Sequence, residues 1–184
     1  VLLVFLLLNL LAHVFVSFSK PGILLNWYLT DDAFYYFKTA QNITEGRGIS
    51  FDGISPTNGF HPLWMVISIP IFALARFNLY LPLRMLVIVL GILNAFSGYL
   101  LYRMLATHIS KPVGWLAGMI WMFLSSIHAV TTKLGLESGV NAASIFLLVF
   151  LISDFLSADE KERKISSLWR IGLAGVFCLF SRLD

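Results

Sequence analysis

Three stretches without a charged side chain, 85–102, 113–132 and 138–153, constrain this chain more than anything else in it. A helix of about 20 apolar residues matches the hydrocarbon thickness of a bilayer, and lipid tolerates only backbone that satisfies its own hydrogen bonds. Composition points the same way, with 58% hydrophobic and 12% charged residues, where soluble domains are about half apolar and a quarter charged. The expected class is all-α, a polytopic membrane helical bundle forming a single membrane domain over 1–184. Transmembrane helices are expected at 1–18, 82–106, 113–132, 138–156 and 165–182, with 19–81 as an outer loop carrying juxtamembrane helices.

The formal net charge of +3 does not imply a nucleic-acid partner. The basic residues sit between candidate spans, where they set topology, and the aromatics lie mostly in apolar runs. Cys178 is a lone cysteine inside an apolar run and cannot pair within the chain. The chain opens at Val1 without methionine and stops at Asp184 straight after an apolar run, so both ends are expected to be cut. Segment 1–18 lacks a basic leader and a small-residue cleavage site, which favours a signal-anchor helix. Ser19-Lys20-Pro21-Gly22 ends it, and Asn26-Trp27-Tyr28 supplies interfacial aromatics.

The polar stretch 30–63 is walled by apolar sequence on both sides. Thr30 reads as a helix N-cap, with Asp31 and Asp32 in the first turn at the positive end of the helix dipole. Ala33, Tyr36, Phe37, Ala40, Ile43 and Thr44 share one helical face, and Lys38, Gln41, Asn42 and Glu45 fall on the other. This predicts a short amphipathic helix along the membrane surface, ended by Gly46 and Gly48. Asp52-Gly53 and Asn58-Gly59 mark turns, and Asn42-Ile43-Thr44 has the form of a glycosylation sequon.

Segment 61–77 is apolar but short, interrupted by Pro70 and closed by Arg76. If it spans, the short loops bearing Arg103/Lys111 and Lys161/Arg163/Lys164/Arg170 lie outside, against the positive-inside bias. Read as a juxtamembrane helix, it keeps both loops inside. It also brings Asp31, Asp32, Glu137 and Asp184 to one outer face.

The adjacent acids Asp31 and Asp32 suit general-base work on an acceptor hydroxyl, and the alternative is helix-start electrostatics. Glu137, between two spans and beside Lys133, is either a ligand-facing acid or a solvated loop charge. His61, Asn58 and Lys38 are polar groups near the same surface, with His61 suited to a phosphate, a metal or a plain interfacial role. Arg182 ends the last apolar run, where it could pair with a lipid phosphate or anchor the helix. His13 and His128 read as packed, hydrogen-bonded helix residues. No Cys/His cluster, phosphate-binding glycine loop or nucleophile–His pair is present in the sequence.

A first membrane helix, then TDDAFYY, a surface helix, NGFHPLW, the run Leu83-Arg84-Met85, a basic turn and a span closing on Gly135-Leu136-Glu137 follow one another in order. Together they resemble integral-membrane glycosyltransferases of the GT-C class, most similar to bacterial members like the protein O-mannosyltransferases and the aminoarabinose lipid A transferases. The resemblance covers essentially the whole chain. It implies catalytic Asp31 and Asp32, with Asp31 the preferred base by analogy, and substrate-binding Glu137, His61, Asn58, Lys38 and Arg182. It implies a polyprenyl-phosphate-sugar donor and a glycan, lipid or protein acceptor. The chemistry would be inverting, with no cofactor assigned and a divalent metal left open. It also implies a multi-pass protein of the cell (inner) membrane with its site facing the periplasm or exterior. Such enzymes run to several hundred residues, so this chain is expected to carry part of an active site. The readings set beside it are a transporter or flippase of lipid-linked sugars and a non-catalytic membrane subunit.

Overall fold

The structure, a computed structural model, describes residues 2–28, 30–75, 78–159 and 164–182. Regular structure among these residues is helical, with one isolated bridge between Ser50 and Pro56. The helices are α1 (Leu2–Ser17), α2 (Pro21–Trp27), α3 (Asp32–Thr44), α4 (Pro62–Leu74), α5 (Leu81–His108), α6 (Lys111–Phe123), α7 (Ser125–His128), α8 (Ser138–Ser157) and α9 (Ile165–Ser181). A π-helical turn, Ala129–Lys133, continues α7.

Two helices, α5 and α8, are by themselves long and apolar enough to cross a membrane, and α6 with its continuation makes a third if the bent pair is one span. The expected five reduce to two or three on this measure, because α1 and α9 have 16 and 17 residues. As straight helices those reach about 24–26 Å. Helix α4, at 13 residues, is about 20 Å long and short of a bilayer core. Arg76, Lys161, Arg163 and Asp184, which enter the expected topology, lie outside the described residues.

The expected continuous helix over 113–132 is broken. Leu124 is extended (φ −66°, ψ 118°), and the two halves meet at 51°. No proline or glycine causes the bend. A helix broken in apolar surroundings needs a neighbour for its freed carbonyls, and Asn94 on α5 provides one, donating from Nδ2 to the Met122 carbonyl (3.3 Å). The same amide donates to Asn9 Oδ1 on α1 (3.1 Å), and Asn9 Nδ2 donates to the Gly91 carbonyl. Helices α1, α5 and α6 are thus tied by one buried polar chain. Close approach of α6 to α5 rests on Gly114 and Gly118, where a Cβ would stand 2.7 Å from the Tyr102 carbonyl oxygen and 2.9 Å from the Gly98 carbonyl oxygen. This is the small-xxx-small spacing of membrane helix pairs.

Helix α2 was not expected from the sequence. Pro21 there begins a helix at its first position rather than only ending α1. On the other side of α5, α3 lies on α4, and the apolar centre gathers Tyr36, Phe37, Ala40, Trp64, Leu86 and Leu90. Asn42, expected on the solvent side of α3, is fully buried. Its Nδ2 donates to the carbonyls of Ser50 (3.0 Å) and Phe51 (2.9 Å), holding the 47–57 loop over the helix. The sequon asparagine is therefore already engaged.

In that loop Asp52 accepts from the amides of Ile54 (2.8 Å) and Ser55 (2.7 Å). These bonds hold its carboxyl below the usual carboxylate range. Their contribution is present above the ordinary carboxylate pKa and is lost as pH falls through the lowered value.

Replacing Asn94 by Ala strips partners from the Met122 carbonyl and Asn9 Oδ1 together. The expected loss is about 1–3 kcal/mol, read as a lowered thermal midpoint of the detergent-solubilised protein. An unchanged midpoint would mean that the bend does not depend on this amide.

Candidate functional site

The amino end of α3 differs from expectation by one residue. Asp31 occupies the cap with helical backbone angles (φ −70°, ψ −24°) and makes no side-chain cap bond, and Asp32 is the acid of the first turn. Thr30 Oγ1 does accept from the Asp32 amide (3.3 Å). A cap residue usually sits in the β region so that its side chain can turn back on the helix, and Asp31 does not. The neighbouring acids consequently face different surroundings.

Asp32 lines a cavity of about 330 Å³ together with Tyr35, Tyr36, Gly59, His61, Leu136 and Glu137. These residues come from the start of α3, the turn before α4 and the cap of α8. Tyr36 points inward because it lies on the buried face of α3, where its ring joins the core and its hydroxyl reaches the cavity wall. That hydroxyl donates to Glu137 Oε2 (3.1 Å) and accepts from the His61 amide (3.0 Å). His61 Nε2 stands 3.6 Å from Glu137 Oε1. Glu137 is only 6% exposed, and a carboxylate that deep persists only with such partners.

The Glu137 segment is brought to α3 by a tight turn. Gly135 has φ +68°, and a Cβ there would stand 2.6 Å from the Tyr28 ring and 2.9 Å from Ala33 Cβ. Its carbonyl accepts from Trp64 Nε1 (3.0 Å), pinning the turn to α4. Tyr28 in turn donates to the Leu83 carbonyl (2.5 Å), and burial pushes its phenol above the usual range. On the opposite wall Tyr35 hydrogen-bonds Thr57 and stacks on Phe51 at 5.2 Å.

The other sequence candidates lie elsewhere. Asp31 is exposed at the cap and Asn58 is exposed in the turn, neither among the cavity's lining residues. Lys38 Nζ donates to Gln41 Oε1 (3.3 Å) and edges a separate apolar cavity of about 400 Å³ with Phe34, Phe37 and Phe72. Arg182 lines a crevice between α8 and α9 with Asn141. The structure thus joins Asp32, His61 and Glu137 and leaves Asp31, Asn58, Lys38 and Arg182 apart. The sequence marks Tyr36 only as part of an apolar face. Its hydroxyl, one turn beyond the acids, was the available signal. Among the described residues no three His, Cys, Asp or Glu side chains are grouped to hold a metal ion.

No protein-family model, curated protein or solved structure matches this chain.

Replacing Tyr36 by Phe keeps the ring in the core and deletes both hydroxyl bonds. It should cost about 1–3 kcal/mol of stability in denaturant titrations of the solubilised protein. Wild-type stability would show that Glu137 is held by other partners.

Proposed function

We propose that this chain carries the acceptor side of a GT-C-like membrane glycosyltransferase. It would move a sugar from a polyprenyl-phosphate donor to a hydroxyl of a glycan, lipid or protein acceptor. The observation that carries the reading is the meeting of Asp32, His61 and Glu137 round one cavity beside apolar helices.

In this reading Asp32, exposed on the cavity wall, is the general base. It takes the proton of the acceptor hydroxyl as that oxygen attacks the anomeric carbon. The bond from that carbon to the phosphate oxygen breaks, its electrons leave on the polyprenyl phosphate, and the configuration inverts. Glu137, held by Tyr36, orients the acceptor through the carboxylate oxygen beside His61. The His61 imidazole offers a hydrogen bond to the departing phosphate. Asp31 serves as a neighbouring charge and not as the base, because it lies outside the cavity lining.

The reading takes α1, α5, α6 with its bent continuation, α8 and α9 as spans of the cell membrane. Positive-inside charge at Arg103, Lys111, Lys164 and Arg170 then sets the cavity outside. A second reading, transport of a lipid-linked sugar, draws on the bent α6 pair, since discontinuous helices mark transporter binding sites.

Sugar transfer from a polyprenyl-phosphate donor, measured in membranes containing the full-length protein, tests the assignment. Asp32→Asn should lower transfer by about 10²–10⁴, and Asp31→Asn should fall short of that loss. Undiminished transfer with Asp32→Asn would remove the general base. Movement of donor across the membrane without transfer would favour the second reading. For orientation, single cysteines at Ser55 and Ser166 in a Cys178→Ala background should label from outside and inside respectively, and the reverse pattern would overturn the placement.

A further inference from the structure

We propose that His13, fully buried, and His128, partly exposed, share a proton-binding site that clips α1 to the bent segment after α6. The two imidazoles lie 5.3 Å apart between ring centroids. His13 is 0% exposed, and its Nδ1–H donates to the Asn9 carbonyl (2.9 Å). That bond fixes the free lone pair on Nε2, which is buried and has no hydrogen-bond partner. Buried polar atoms left unmatched in this way call for a ligand or a solvent species.

His128 is arranged in the same sense. Thr132 Oγ1 donates its hydrogen to the His128 carbonyl (2.6 Å) and so accepts from His128 Nδ1–H (3.3 Å). The lone pair of His128 is therefore also on Nε2. Neither neutral ring can donate to the other, and one added proton repairs this. It bonds to one Nε2 and is accepted by the other as the rings close to an N–H···N distance of about 3 Å, with one charge over two rings.

The surroundings favour one proton over two, and over a metal. From α2, Trp27 meets both rings edge-on, at 5.5 Å and 5.6 Å. From the π-helical turn, Lys133 Nζ sits 5.2 Å from the Trp27 centroid, opposing added positive charge and a second proton most of all. From α5, Gly91 faces His13 and does not titrate. A Cβ on Gly91 would stand 2.6 Å from the His13 ring, so α5 backs that ring closely. No third ligand completes a metal site among the described residues.

The π-helical turn that follows His128 ends two residues before Gly135 and four before Glu137. Proton occupancy thus changes how firmly the segment bearing Glu137 is tied to α1. This inference does not depend on the enzymatic reading.

Histidine ¹⁵N resonances of the full chain in micelles, followed between about pH 4 and 8, test it directly. Both rings should show the Nδ1–H form at high pH and change together in one single-proton step. His13→Asn keeps a donor for the Asn9 carbonyl, and His128→Asn keeps one for Thr132. Each should weaken proton binding at the remaining ring at least tenfold, leaving His61 and His108 unmoved. If the fully buried His13 variant does not fold, His128→Asn gives the same readout. Two independent steps, no step at either ring, or a change that appears only with added zinc or copper would overturn the shared proton.

Discussion

The structure depends on one asparagine amide placed where a helix cannot satisfy itself. Asn94 joins the Met122 carbonyl to Asn9 and so couples α6, α5 and α1 at the bend. In water such a bond is worth little, because solvent replaces it. Among apolar helices the freed carbonyl has few other partners, so the bend and the amide stand or fall together. The bend then redirects the chain through α7 and the π-helical turn to Gly135, whose positive φ sets Glu137 against α3. A buried polar bond on one side of the bundle thereby determines the cavity wall on the other.

This explains which parts of the fold could be read from the sequence. Charge-free runs and terminating residues place α1, α5, α8 and α9 to within a few residues, because hydrophobic matching and backbone satisfaction are local requirements. The break at Leu124 escaped, since nothing local demands it and its cause sits thirty residues earlier on another helix. Helical periodicity puts Asn42 on the solvent side for a related reason. A helical wheel assumes that the polar side of a surface helix stays wet, whereas here a loop folds back and uses that side chain to satisfy two carbonyls. Helix α2 was lost by taking proline only as a terminator.

The candidate site was legible as residue types and not as geometry. Asp32, His61 and Glu137 stand out in the sequence as polar groups near apolar ends, but their meeting depends on the Gly135 turn and on Tyr36. The bond from Tyr36 to Glu137 spans 101 positions, and a tyrosine on an apolar helix face carries no mark of such a partner. The choice between Asp31 and Asp32 was equally invisible, since neighbouring helix positions differ by about 100° in direction. Only the observed backbone at the cap separates the acid that lines the cavity from the one that does not.

The two cavity carboxylates are held in different ways, and that difference bears on what the site can do. Glu137 is buried, with a tyrosine hydroxyl on one oxygen and an imidazole near the other. Its burial and the hydroxyl fixed to one oxygen suit it to positioning better than to proton transfer. Asp32 is exposed beside the same space. An anchored acid and an accessible acid facing one cavity is the arrangement in which two carboxylates can take separate roles. Their separation is maintained by Tyr36 on one helix and by the bent segment on the other. Any event that loosens that segment, including loss of a proton between His13 and His128, acts first on the anchored acid and leaves Asp32 in place.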